Sequence, residues 1–482
     1  MGRKPVASSP GQNICLELED YSTRDTSAVE FFGLKAGRDP QPQAARLAEQ
    51  FIVQNRPFFD LLSVAVSRDY DGSDVWLRVE TGNAVGAVPL LSPFSAKPDF
   101  GLVVQPRFPW KGIGPMLAET GWAVSPALLR LPLLKRSERR VPPWVLAFTV
   151  LARLKALLDK LERRFEVTEQ EVSAPKGAVL WEQYAVRHMA RGRFLDVPCR
   201  FPDLRDDRRL KGAIRYAVER QIQSLETQRE HGGFIQALIA LAEMLLMKVH
   251  GAPACRPSPR EFDSWLRQSL KSDVLVEGVQ AIEWTVEERG LAGLSDLEGI
   301  PWTMPMEQFF EAWVETIFRA VAVRTGGSLK AGRKRETVAP LLWDPPYLGS
   351  QRSLVPDLIL EHEQCTLIVD AKYKRHWEEI RHGLRTNHED AIREEHRHDI
   401  HQVLAYANLS EKPVVVCCLI YPCTAATWAS LLERRRLFHQ AEIPQRSRRL
   451  SLWLTAVPMC AAAERAAGPI VEKLRETLSV LQ

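Results

Sequence analysis

One stretch restricts the fold of this chain more than any other: Val355-Pro-Asp-Leu-Ile-Leu-Glu-His-Glu-Gln-Cys-Thr-Leu-Ile-Val-Asp-Ala-Lys-Tyr373. Leu358–Leu360 and Thr366–Val369 are short apolar runs of strand type, and Glu361–Gln364 between them is polar, so the stretch predicts a β-hairpin. Asp357 opens the first strand. Asp370 and Lys372 stand two residues apart at the end of the second, so both leave one face of the sheet while Ala371 turns the other way. A helix over Met306–Val323 precedes the hairpin. A helix around Asp399–Leu409 and the apolar strand Pro413–Ile420 follow it, an order that predicts an α/β domain with a mixed central sheet.

The 482 residues suggest about three domains. Residues 1–12 read as a flexible tail. Residues 13–115 read as β-rich: Asp74–Glu80 alternates apolar and polar side chains, Thr81–Gly86 supplies a turn, and Phe100–Pro106 is a further strand, with one helix over Pro42–Gln54. Residues 116–300 read as helical. Leu151, Leu154, Leu158 and Leu161 mark one stripe within Trp144–Phe165, and Arg208–Arg229 and Gly233–His250 are two further helices. The proline-rich Gly251–Pro259 is a linker or hinge. Residues 301–482 form the α/β part. The fold class expected is therefore a multidomain α+β chain.

Charge and composition exclude some functions. Lys and Arg number 64 against 60 Asp and Glu, a net of +4, which rules out a polycation or an acidic disordered chain but leaves local basic patches open. The longest apolar stretch, Phe234–Met247, is broken by Gln236 and Glu243, too short and too polar to span a bilayer. The amino terminus lacks the apolar core of a secretory signal, and Val6 spoils a myristoylation reading of Gly2. Eight scattered cysteines without a C-x-x-C pair read as reduced thiols. A soluble, cytoplasmic protein is expected.

Carboxylates converging from adjacent strands make an oxygen-ligand site for Mg²⁺ (or Mn²⁺), and a lysine beside them can orient a water or meet charge building on a phosphate. That is chemistry for cutting a phosphodiester. An acid at each end of an edge hairpin is also ordinary, so the neighbours matter. Glu307, Glu311 and Glu315 recur every four residues as one acidic stripe on the preceding helix, where exposed or ion-paired roles compete for two of the three. Gln402 and Tyr406 share one face of the later helix. The clusters Arg333-Lys334-Arg335, Arg434-Arg435-Arg436 and Arg446, Arg448, Arg449 suit phosphate contact, with solvated helix ends as the bland alternative. His376, His382, His388, His396, His398 and His401 lack the spacing of a zinc site, and Cys417 and Cys418 would face opposite sides of a buried strand, poor geometry for an iron–sulfur cluster.

Pro356-Asp357, twelve residues, then Asp370-Ala-Lys372 resembles the PD-(D/E)xK nuclease superfamily. Met304-Pro-Met-Glu-Gln-Phe-Phe-Glu-Ala-Trp313, Ile368-Val-Asp-Ala-Lys-Tyr-Lys374, the Gln402 helix and Leu419-Ile-Tyr-Pro422 together resemble the McrC family, the nuclease subunits of McrBC-type modification-dependent restriction systems. Upstream, Val85-Gly86, Leu102-Val-Val-Gln-Pro-Arg107, Met116-Leu117 as the opening of a first helix, and Val197–Leu204 leading into a helix at Lys211–Arg220 agree more diffusely. The resemblance implies Asp357, Asp370 and Glu311 as metal ligands, Lys372 orienting the attacking water, and Gln402 and Tyr406 positioning the lysine or the scissile phosphate. It also implies a separate McrB-like AAA+ GTPase motor as partner, docked by the N-terminal part, since this chain has no phosphate-loop motif of its own. The long charged stretch between Lys372 and Gln402 and the extra N-terminal sequence depart from the family pattern. A motor-independent nuclease on DNA ends, junctions or RNA, and a non-catalytic activator of an AAA+ partner, are the alternatives.

Overall fold

The computed structural model describes residues 14–34, 40–129, 131, 144–161, 164–205, 207–229, 232–267, 273–286, 301–347, 349–374, 389–445, 448–460 and 462–479. They form a multidomain α/β chain with several sheets, in two compact units. One unit combines residues 1–142 with 295–482, and the other is 143–294. The expected tail, His376, His382, His388 and Arg446 lie outside the described residues. Among the described residues, no helix is long and apolar enough to cross a membrane.

This division differs from a linear three-part order, and strand pairing explains why. Trp302–Pro305 lies antiparallel to Ala84–Leu90 on one side and to Ala127–Leu128 on the other, so residues beyond 300 complete the sheet that also holds Ile14–Glu19 and Phe100–Gln105. Gly86 permits that approach: a Cβ there would sit 2.1 Å from the Trp302 carbonyl oxygen. Ala84–Leu90 is buried at every residue, so the turn expected over 81–86 shrinks to Gly82 and Asn83. Asp74–Thr81 does alternate buried and open positions as its sequence predicts, between Thr23–Ser27 and Val64–Asp71 in a second sheet. The helix expected over Pro42–Gln54 runs from Gln41 to Leu61, through Pro57. The helix expected to open at Met116 starts at Trp110, and Met116 and Leu117 are buried near its end.

The same unit holds a six-stranded sheet in the order Ser328–Ala331, Leu358–Glu361, Cys365–Ala371, Val414–Cys423, Arg449–Pro458, Phe438–Ile443. Its inner pairs are parallel and its outer pairs antiparallel, the mixed sheet the sequence order predicts. Cys365–Ala371 and Val414–Cys423 are buried throughout, as continuous apolar runs must be when both faces are covered. The helix Glu389–Tyr406 covers one face, with Val403 and Tyr406 packed on Ile368, Val415, Cys417 and Leu419. The helix Met306–Thr325 is tied in by Trp313, whose indole Nε1 donates to the Pro458 carbonyl over 3.1 Å.

The second unit is built on the helices Trp144–Lys160, Arg208–Glu226, Gly233–Lys248, Pro259–Leu266 and Asp273–Val286, with Leu151, Leu154, Ile214, Val218, Leu238 and Ile282 fully interior. It is not wholly helical. The helix expected to reach Phe165 stops at Lys160, and Arg164–Val172 is a strand paired with Val197–Arg205, which also pairs with Ala178–Val179. The proline-rich break ends in a reciprocal cap, Ser258 with Glu261, that starts the next helix.

Candidate active site

The hairpin forms in the register its apolar runs require, with Leu358 opposite Val369. Asp357, just ahead of the first strand, thereby meets the end of the second: its Oδ2 accepts from the Ala371 amide over 2.7 Å. Asp370, 2% exposed, lies 2.8 Å from the Lys372 ammonium. The Lys372 amide donates to the Ile420 carbonyl over 2.8 Å, so the neighbouring parallel strand fixes the backbone that carries the lysine.

The glutamate stripe separates by partner. Glu307 accepts from Asn83 Nδ2 over 2.6 Å. Glu315, 3% exposed, is enclosed by Arg319, Arg333 and Lys334 at 2.5, 3.4 and 3.0 Å. Burial alone would raise its carboxyl, but Lys334 and Arg319 hold it below the usual range. Glu311, between them, is pushed up to about 7 by burial and by Glu307, with Asp370 adding to the effect. Arg333 and Lys372 oppose that rise without cancelling it.

The two hairpin aspartates are perturbed in the same direction. Asp357 sits well above the usual carboxylate range because it is desolvated and faces Asp370 and Glu311. Asp370 is raised by burial, with Lys372 pulling the other way. Burial would lower the Lys372 ammonium, but Asp370 outweighs it and the group titrates above its ordinary value. Asp370 Oδ2 is buried and makes no aligned hydrogen bond, the lysine facing it as an ion pair. Burial raises all three carboxyls, with Asp370 and Glu311 adding to the effect at Asp357 and Glu307 and Asp370 adding to it at Glu311; such a group of oxygens is the donor set that a hard divalent cation prefers. The donor chemistry fits Mg²⁺ or Mn²⁺, although the three carboxylates do not bring ligand atoms within 4.8 Å of one another.

A hydrogen-bond chain then leads away from the lysine. Lys372 Nζ donates to Gln402 Oε1 over 2.9 Å, and Gln402 Nε2 donates to the Tyr406 hydroxyl over 2.8 Å. The four-residue spacing on the helix thus puts both side chains into one hydrogen-bond chain with the ammonium. Two further groups have no signal in the motif. Asp399 is buried one helical turn before Gln402 and takes Lys374 at 2.9 Å and the Tyr421 hydroxyl at 3.1 Å. Tyr373, next to the lysine, donates to Asp20. The i, i+3 spacing of Asp399 and Gln402 could have indicated the first; the second is a contact between distant parts of the sequence.

The basic clusters fare differently. Arg333 and Lys334 are ion-paired with Glu315, and Arg333 also donates to the Ala123 carbonyl, so neither is a freely available cation; Arg335 is exposed. Arg434, Arg435 and Arg436 are exposed. They lie just ahead of Phe438, separated from it by Leu437; the register of Phe438 runs through Thr455 and Ile420 to Ala371, so they lie at the same end of the sheet as the acids. Arg448 and Arg449 make internal contacts, with the Ala407 and Ser410 carbonyls and with Glu442. His398 and His401 join no potential metal cluster among the described residues. Cys417 faces the Gln402 helix, its thiol donating to the Val403 carbonyl, and burial pushes it up to about 12; burial also raises Cys418.

Fold and site together define a class: a mixed-sheet α/β protein carrying a buried carboxylate–lysine centre at the ends of its inner strands. Residues 287–422, which contain that centre, match the family described as McrBC 5-methylcytosine restriction system component. Over this segment the chain is similar to that family. No curated protein matches the chain. Among solved structures, it is similar to a refined half-complex of Thermococcus gammatolerans McrB AAA+ hexamers with bound McrC, at 13% identity and TM-score 0.40, covering 97% of this chain and 100% of that one. It is also similar to a chain of the Thermococcus gammatolerans McrBC complex, at 13% identity and TM-score 0.26, covering 66% of this chain and 89% of that one. Both likenesses are remote, and the family likeness is that of residues 287–422.

Proposed function

We propose that this McrBC-family chain is a metal-dependent DNA endonuclease of PD-(D/E)xK type, cutting when coupled to a separate McrB-like AAA+ GTPase motor. The observation that carries the reading is the convergence of Asp357, Asp370 and Glu311, each with a raised carboxyl, beside a lysine held by Gln402. Asp357, Asp370 and Glu311 would hold Mg²⁺ (or Mn²⁺). When bound, the metal supplies Lewis-acid polarisation of the scissile phosphate and a more acidic water.

The chain's own residues do the rest. Lys372 carries a fixed positive charge beside Asp370, suited to orienting the attacking water and to meeting negative charge as it builds on the phosphate. Gln402 limits where that ammonium can point, and Tyr406 in turn limits Gln402. Arg434, Arg435 and Arg436, and Arg335 from the other basic loop, are suited to neutralise the DNA backbone on either side of the cut. The chain has no phosphate-loop motif, so nucleotide hydrolysis would fall to the partner.

The test is Mg²⁺-dependent cleavage of plasmid DNA by the full chain, alone and with a McrB-like AAA+ protein from the same genome plus GTP, wild type against Asp370→Ala. The proposal expects cleavage that needs the metal, rises with partner and GTP, and is lost in the variant. Equal cleavage by both proteins would remove the site; cleavage indifferent to any AAA+ partner would leave a motor-independent nuclease.

A further inference from the structure

In the unit formed by residues 143–294, three potential ligands converge from three separate elements. Glu171 is the penultimate residue of the strand Arg164–Val172, His188 ends the π-helical turn Tyr184–His188, and Asp196 directly precedes the strand Val197–Arg205. The pairing of Val172 with Val197 makes Asp196 the first residue past the end of that ladder, close to Glu171. One ligand atom from each of the three side chains lies within 4.8 Å of the other two.

The histidine is built in. It is 5% exposed, and its ring stacks on Tyr184 with a 6.4 Å centroid separation and a 22° interplanar angle. The Tyr184 hydroxyl is itself fixed on the Phe194 carbonyl at 2.7 Å. Nδ1 of His188 is buried without a hydrogen-bond partner, so the imidazole's one polar engagement is through Nε2, 3.2 Å from Glu171 Oε1. π-helical turns are uncommon and recur at functional sites.

Charge balance leads to the same place. Among the described residues, no lysine or arginine pairs with Glu171 or Asp196, and His188 is the one basic group that meets this carboxylate pair. Two carboxylates brought together beside an imidazole nitrogen are stabilised by a cation between them. Zinc with nitrogen and oxygen bonds of about 2.0–2.2 Å in a tetrahedron holds its ligand atoms about 3.3 Å apart. The His188–Glu171 separation already matches that edge. An imidazole with two carboxylates also selects a transition ion over Mg²⁺ or Ca²⁺, which prefer oxygen alone.

We propose that Glu171, His188 and Asp196 bind a divalent transition-metal ion, zinc first, which clips the small sheet to the π-helical turn. The site is independent of the nuclease reading. It is tested by equilibrium dialysis of the full chain against Zn²⁺, with bound metal measured by elemental analysis, in the wild-type and Asp370→Asn backgrounds. His188→Asn should remove one zinc equivalent per chain in both backgrounds, and Glu171→Gln or Asp196→Asn should weaken binding by at least about tenfold. Co²⁺ in place of Zn²⁺ should give visible absorption that His188→Asn abolishes. Should His188→Asn fail to fold by circular dichroism, Asp196→Asn, at an exposed position, decides the matter by the same two readouts. Full zinc retention by a folded variant overturns the proposal, as does a wild type that binds no zinc beyond what Asp370→Asn removes; the contact is then a carboxylate–imidazole hydrogen bond only.

Discussion

Tyr373 donates a 2.6 Å hydrogen bond to Asp20, linking the residue after the site lysine to the end of the first N-terminal strand. Both are buried, and Asp20 is also gripped by the Arg107 amide at 2.7 Å. The Arg107 guanidinium lies 4.5 Å from the centre of the Tyr373 ring. Burial, with Asp20 alongside, holds the phenol well above its usual range, so it remains a donor. Tyr373→Phe keeps the ring and deletes the donor to a buried carboxylate, which should cost about 2 kcal/mol. A drop in the denaturation midpoint checks it; an unchanged midpoint would mean the N-terminal strands do not hold the site strand.

Gln402 is exposed, yet it accepts from the Lys372 ammonium, and the proposed function gives it the task of positioning that group. Gln402→Ala should therefore lower the metal-dependent cleavage rate by about 10- to 100-fold, the scale of losing a supporting hydrogen bond. Stability should stay within about 0.5 kcal/mol, as for most exposed substitutions. Tyr406→Phe, one step further along the chain of bonds, should have a smaller effect. Plasmid-nicking rates alongside melting curves distinguish positioning from folding: a rate loss matched by a stability loss would place Gln402 in the fold and not in the site.

The geometry of the candidate site was largely legible in the sequence because its signals are local. Asp370 and Lys372 needed only the two-residue period of a strand, and Glu311, Gln402 and Tyr406 only the turn of a helix. What was not legible depends on contacts between distant residues. Trp302–Pro305 is four residues with a proline, and it becomes a strand because Gly86 lets the backbone approach. Val197–Arg205 carries Pro198 and Pro202, which argue against a strand, yet pairing with Arg164–Val172 overrides them. The charge-dense approach to Gln402 reads as a solvated face, and that reading hides Asp399, which is buried and paired with Lys374.

Glu311 makes stability depend on pH. Its carboxyl titrates near about 7 in the folded chain against an ordinary 4.5, so the folded state holds a proton that the unfolded state has released between those values. For a raised acid the contribution is intact below the ordinary value and is lost as pH climbs toward 7. Glu311→Gln keeps the neutral form throughout. In metal-free buffer it should match wild type near pH 4.5 and exceed it at pH 8 by on the order of 2 kcal/mol, discounted for partial exposure. Mg²⁺ at pH 8 should raise the wild-type melting temperature more than that of the variant. Identical pH profiles for the two proteins would refute the assigned surroundings of Glu311.

The arginine clusters should separate under salt. The sheet register sets Phe438 level with Ala371, and three strand spacings amount to about 14 Å. Arg434, Arg435 and Arg436 therefore stand exposed on the edge of the same rim that carries Asp370, and the proposed function would run the DNA backbone along that edge. Replacing all three with alanine should flatten the plot of log affinity for duplex DNA against log salt by about 2 to 3 in slope, about 0.9 per lost phosphate contact. Arg333→Ala should act differently: it strips one partner from buried Glu315 and should lower thermal stability while leaving most of the salt slope in place. Fluorescence anisotropy at several salt concentrations separates the two, and an unchanged slope in the triple variant would take the 434–436 edge out of the DNA path.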